Sequence, residues 1–355
     1  MKINTKIKQS ALSIATLLFA SSTLAGVSTI EPGKDWLDTN DQLIEAHGGD
    51  MMLKDGVYYW IGQDRTKNSN TFKAINCYKS TDLSNWEFVN TVMSAEKNPD
   101  LPTEVIIARP KFVYNNLTDS YVMWFKYRNP KGVAPNMRAG IASSKSVCGD
   151  YKEEGIFFPT ANHVSHYAGD NELVVDENGN GYYVLSSIGE LKHGEMGQLT
   201  AGKKKRHIKI FKLTPDFRDL EKLVYEFPVE TNRKENREGP GVFKMGDKYV
   251  MFSSGTMGWK PNQQRYSMAP SMEGPWSEWK DIGDNTAFDS QTAFIIPVPG
   301  EKGTSFIYGG DRHTAKNLAE SRYIWLPIKE TKNGLTMDWQ DKWTVNVKSG
   351  ELSTD

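Results

Sequence analysis

The sequence predicts an all-β protein, a five-bladed β-propeller folded as one domain, on three observations. Aromatic residues are abundant, with ten Trp, fifteen Tyr and fifteen Phe in 355 residues, and such residues favour strands. Short alternating runs end at Gly, Asn and Asp, and no long helical period separates them. One landmark also recurs, an aromatic strand following a turn. Its reference residues are Tyr58, Tyr121, Tyr182, Tyr249 and Phe306, spaced by about sixty residues, in the range of propeller repeats or slightly above it.

The first element stands outside the fold. Residues 1–25 carry Lys2, Lys6 and Lys8, the apolar run "ALSIATLLFA" and the small-residue end Thr23-Leu24-Ala25. That order reads as a signal peptide cleaved near Ala25. The apolar run is short for a bilayer span, although an anchored helix is the competing reading. The mature chain, 26–355, is then expected to be secreted or periplasmic and free of the membrane. Cys77 and Cys148 lie too far apart for a metal motif, and a disulfide is permitted in that compartment.

The landmarks "GVYYWIGQD", "DSYVMWFKY", "NGYYVLSS", "DKYVMFSSG" and "TSFIYGGDR" come next, each followed by further strands such as "FKAINCYKSTDLSNWEFV" or "RYSMAPSMEGPWSEW". Four short strands repeated five times, packed radially, make a propeller. A β-sandwich with an extra domain is the alternative, but no Pro/Gly/Ser-rich linker divides the chain.

Strand starts locate a candidate site. Upstream of each landmark a polar residue precedes an apolar run: Glu45 and His47, Arg109, Asp170, Glu238 and Gln291. In a propeller these positions converge on one mouth of the axis, so the five stretches are expected to ring one pocket. Two carboxylates facing a pocket point to glycoside hydrolysis, which needs an acid for the leaving oxygen and a second group for water or the sugar. Glu238 is the expected acid, its pKa raised by enclosure and by Asp170; Arg237 and Arg109 oppose that rise. Aromatic richness fits a sugar site, and a net charge of −1 argues against nucleic acid.

The stretches "REGPGVFKMGDKYVMFSSGTMGWKPN", "GPWSEW", "SQTAFIIPV" and "GGDRHTAKNLAESRYIWLPI" resemble glycoside hydrolase family 43. The similarity is to the branch of exo-β-1,3-galactanases and related β-galactosidases, and it covers essentially the whole mature chain. It implies a five-bladed propeller and an inverting exo-hydrolase of β-linked galactan. It also implies that Glu238 is the acid, Asp170 its pKa modulator, and Gln291 the residue that positions water in place of a base. His47 stands where other branches keep the base, and there it shapes the sugar subsite.

Three positions depart from the branch pattern. Ala108 replaces a glutamate, Gln63 ends a strand that commonly ends in glutamate, and Asp50 is an added carboxylate, a candidate base or substrate contact. Trp259 is expected to stack on a sugar, and Asp311 and Arg312 to complete the pocket wall. The run Lys203-Lys204-Lys205-Arg206 is expected either to be a solvated loop or to recognise sulfate or carboxylate on an anionic galactan. No cofactor is required and no metal site is read from the histidines, although the resemblance allows a structural calcium in the central channel. The expected partner is an oligo- or polysaccharide. An α-L-arabinofuranosidase or β-xylosidase, or a non-catalytic glycan-binding propeller, are the alternative functions.

Overall fold

A computed structural model describes residues 26–102, 104–131, 136–192, 206–228 and 235–354, and among them the architecture is all-β. The expected signal peptide and Lys203-Lys204-Lys205 lie outside the described residues. Four of the sheets are four-stranded meanders. Sheet 1 runs His47–Lys54, Val57–Gln63, Ala74–Ser80 and Glu87–Ser94. Sheet 2 runs Ile106–Asn115, Ser120–Arg128, Met137–Ser144 and Lys152–Phe157. Sheet 3 has five strands: a short edge, Thr160–Ala161, then Val164–Val175, Gly181–Lys192, His207–Leu213 and Leu220–Glu226. Sheet 4 is Arg237–Met245, Lys248–Gly255, Gln264–Ala269 and Lys280–Ile282; sheet 5 is Gln291–Gly300, Gly303–Arg312, Arg322–Thr331 and Gly334–Thr336.

The five repeat aromatics all fall in the strand after the long first strand of their sheets, the short edge of sheet 3 aside, and each is at least nine-tenths buried. Each sheet places its long first strand, apart from the short edge of sheet 3, against that of the next, and the fifth returns to the first. Apolar clusters fill the five spaces between neighbouring sheets. Trp60, Trp86 and Trp325, with Trp343, occupy the space between sheets 1 and 5. That space also receives a sixth, three-stranded sheet of Val27–Ile30, Trp343–Asn346 and Glu351–Thr354, which joins the two ends of the described chain. No helix among the described residues is long and apolar enough to cross a membrane.

Cys77 and Cys148 form a disulfide between sheets 1 and 2, closing a loop of 71 residues. A loop of that size restricts the unfolded chain, so replacing both cysteines with serine is expected to cost about 2–4 kcal/mol. Thermal unfolding of the double variant beside the oxidised protein measures it.

Candidate active site

A shared irregularity builds the site. Near its start, the long first strand of every sheet slips register against the second: between His47 and Asp50, Ala108 and Lys111, Ala168 and Asn171, Glu238 and Gly241, and Thr292 and Phe294. A bulge bends its strand and re-aims a side chain. Gly48 and Gly239 reach the left-handed region there at φ 56° and 60°, and Arg109 does so as a non-glycine residue at 55°. For a non-glycine residue such as Arg109 this backbone costs about 1–3 kcal/mol and concentrates at functional sites. The bulges bring Arg109, Asp170, Glu238 and Gln291 from four sheets to one cleft of about 560 Å³.

The two carboxylates differ in surroundings. Asp170 accepts from Lys126 Nζ at 3.0 Å and lies 3.8 Å from the Arg109 guanidinium. Burial alone would raise its pKa, but Lys126 and Arg109, with Arg206, hold it well below the usual carboxylate range. Glu238 is pushed up by burial; Arg206, which donates to its Oε2, works against that, and the Asp170 charge adds to it. The net direction is upward. Arg237, expected to oppose this, faces the other side of the strand, where its guanidinium lies 6.0 Å from the Trp279 ring and donates to Glu235 O and Ser253 O. Alternation along the strand separates the neighbours.

Gln291 is held from both ends. Arg109 Nη2 donates to its Oε1, and its own Nε2 donates to Ser254 Oγ at 2.9 Å. That hydroxyl donates to Glu238 O at 3.2 Å. The amide orientation is thereby fixed beside the acid. A carboxyl whose pKa is raised beside a carboxylate whose pKa is lowered is the division of labour acid-assisted cleavage of a glycosidic bond requires.

The remaining expected residues are distributed unequally. Trp259 lies on the cleft wall, 42% exposed, with its ring edge-on to His313 at 5.1 Å. Asp311 and Arg312 border a smaller adjoining cavity of about 250 Å³, along with Trp259 and Gln291. Glu45 and His47 do not line the cleft. Glu45 Oε2 accepts the Arg65 backbone N–H at 3.0 Å, and His47 stacks on Tyr323 at 4.8 Å with Asp311 3.7 Å away. The position of sheet 1 that matches Arg109 is Gly48, so no side chain projects there. Asp50 is also outside the cleft; its Oδ2 accepts the Phe112 N–H at 3.0 Å, and burial raises its pKa.

Asp50 belongs to a polar cluster where the long first strands of sheets 1, 2, 3 and 5 approach one another. Lys111, fully buried, pairs with Glu172 at 2.9 Å and donates to Ala293 O. The carboxylates here do not suit a calcium ion, because the Lys111 ammonium already serves them. Among the described residues no group of three or more His, Cys, Asp or Glu side chains could hold a metal.

Gln63, read as a departure from the branch pattern, lines the cleft, while sequence reading missed Arg65, Lys126 and Arg128 and the direct contact of Arg206 with Glu238. Those three sit near or beyond the ends of second strands rather than at first-strand starts. Two substitutions should act in opposite directions on the alkaline limb of kcat/KM. Asp170→Asn removes a charge that raises the Glu238 pKa and is expected to move that limb to lower pH. Arg206→Gln removes a charge that lowers it and is expected to move the limb higher. A pH–rate profile of each variant reads both.

Fold and cleft thus define an all-β hydrolase of the carboxylate-pair type. Residues 47–293 match the family model of glycosyl hydrolases family 43, and the chain belongs to that family. Solved structures agree. The exo-β-1,3-galactanase of Clostridium thermocellum superposes with a TM-score of 0.81 at 30% identity, covering 92% of this chain and 68% of that one. That of Phanerochaete chrysosporium, solved as a glutamate-to-glutamine variant with β-1,3-galactotriose, gives 0.78 at 29%, covering 92% and 70%. A family 43 β-1,3-galactosidase bound to galactodeoxynojirimycin gives 0.75 at 26%, covering 88% and 99%. Among curated proteins no match was found.

Proposed function

We propose that this glycoside hydrolase is a five-bladed β-propeller that releases galactose from the end of β-1,3-linked galactan, with inversion. The observation that carries the reading is the Glu238–Asp170 pair, whose environments drive their pKa values apart in one enclosed cleft. The likeness to solved exo-β-1,3-galactanases supplies the sugar and linkage. Glu238 protonates the leaving oxygen, Asp170 keeps it protonated and orients it, and Gln291 positions water, with Arg109 fixing the amide. Gln63, on the cleft wall, holds its amide with Nε2 donating to Ile107 O at 2.8 Å.

Export is part of this reading. It is supported by the signal-like first residues and by the disulfide, a bond that persists in oxidising compartments. The reading is tested by incubating the protein with β-1,3-, β-1,4- and β-1,6-galacto-oligosaccharides and with aryl arabinosides and xylosides. Galactose from the β-1,3 series alone is the expected result. Arabinose or xylose release in its place would overturn the substrate, and binding without any release would make the protein a glycan-binding module.

A further inference from the structure

The charges of the cleft are unbalanced. Among the described residues its walls carry five cationic side chains, Arg65, Arg109, Lys126, Arg128 and Arg206, and two carboxylates, Asp170 and Glu238. Three of the cations answer the two carboxylates: Lys126 and Arg109 flank Asp170, and Arg206 bonds Glu238. Among the described residues Arg65 and Arg128 have no carboxylate partner within ion-pair distance; Asp311 and Glu45 act on Arg65 from further away. Gln63 and Ala108, on the same walls, bring no charge to offset them.

Arg65 is the more telling of the two. It is only 8% exposed, and burial works against its charge. Its Nη1 donates to His313 Nδ1 at 2.9 Å, and its guanidinium lies 5.9 Å from the Trp259 ring centre. Burial and Arg65 together push His313 down to about 3, so the imidazole is neutral, and the carboxylates of Asp311 and Glu45 act on Arg65 only from beyond ion-pair distance. A buried guanidinium held between a neutral imidazole and an indole, and open to a cleft, leaves N–H groups for a ligand, and a planar fork suits an oxyanion best. Arg128 is exposed. It lies two residues beyond Lys126 on the same face of the strand Ser120–Arg128, which places it toward the rim.

We propose that the cleft selects a galactan bearing an anionic group, sulfate or carboxylate, which Arg65 binds beside Trp259 while Arg128 attracts it at the rim. The proposal rests on the galactanase reading above. It assigns the anion to these two arginines, and not to Arg206, which is engaged by Glu238.

The test uses neutral β-1,3-galactobiose, its two isomers 6-O-sulfated on either unit, and a β-1,3-galactosyl uronate. Hydrogen bonds to charged groups predict a kcat/KM for at least one anionic probe about 10- to 100-fold above the neutral disaccharide. The sulfate and uronate arms identify which oxyanion is preferred. Arg65→Gln and, separately, the exposed Arg128→Ser are expected to lower that ratio towards one, and salt is expected to lower it in the wild type. Calorimetric binding of the same probes to Glu238→Gln gives a readout independent of turnover. Neutral and anionic probes cleaved and bound equally would overturn the proposal and leave the galactanase reading standing. Absence of cleavage of every probe would overturn that reading, and the binding ratio alone would then decide the proposal.

Discussion

Glu238→Gln is expected to lower kcat/KM on an oligosaccharide by about 10²–10⁴-fold, the usual contribution of a positioned general acid, while binding persists. Glutamine keeps the shape of a protonated glutamate and offers Arg206 an acceptor oxygen, so the cleft retains its geometry. What is lost is the proton. The loss should therefore depend on the leaving group. An aryl galactoside with an acidic phenol departs without help and should suffer far less than an alkyl or sugar aglycone. A uniform loss across leaving groups, or a loss explained by KM alone, would remove Glu238 from the acid role. Asp170→Asn should show a different signature, a shifted alkaline limb with leaving-group dependence intermediate between wild type and Glu238→Gln.

Lys111→Met is expected to destabilise the fold by about 1–3 kcal/mol near neutral pH, the cost of leaving buried polar groups without their donor, and by more as pH rises. Lys111 joins the first strand of sheet 2 to Glu172 of sheet 3 and to the Ala293 carbonyl of sheet 5. Asp50 of sheet 1 adds its field. Burial pushes Glu172 up to about 8 despite Lys111, with Asp50 adding repulsion. A carboxyl raised in the folded state binds more protons there than in the unfolded chain, so its contribution to stability is present at low pH and lost as pH rises through about 8. Removing Lys111 should steepen that loss, and Glu172→Gln in the Lys111→Met background should recover part of the stability and flatten it. Denaturant unfolding across pH 5–9 reads both, and a Lys111→Met protein as stable as wild type would show that this cluster does not depend on the ammonium.

Much of the fold was legible because burial repeats. Tyr58, Tyr121, Tyr182, Tyr249 and Phe306 mark the same strand of each sheet, since that strand packs against two neighbours and must be aromatic or branched. Strand starts then located Arg109, Asp170, Glu238 and Gln291. The same rule misplaced Glu45 and His47, because a bulge selects which residue projects and sheet 1 puts Gly48 at that point. Arg65 and Lys126 were not legible, as they reach the cleft from second strands and their loops, and a sequence period does not give that distance. Arg206 was noticed as one charge in a basic run, yet its partner is a carboxylate 32 residues away. A pairing of that kind belongs to tertiary geometry and leaves no local pattern. The three-stranded sheet joining residues near both ends was unread for the same reason.

In an inverting reaction with Glu238 as the acid, Gln291 sets the water on the opposite face of the sugar. The most direct test is proton NMR of the first galactose released from β-1,3-galactobiose, before mutarotation proceeds. The α-anomer should appear first and relax toward the β-form. The β-anomer appearing first, or no galactose at all, would contradict the account.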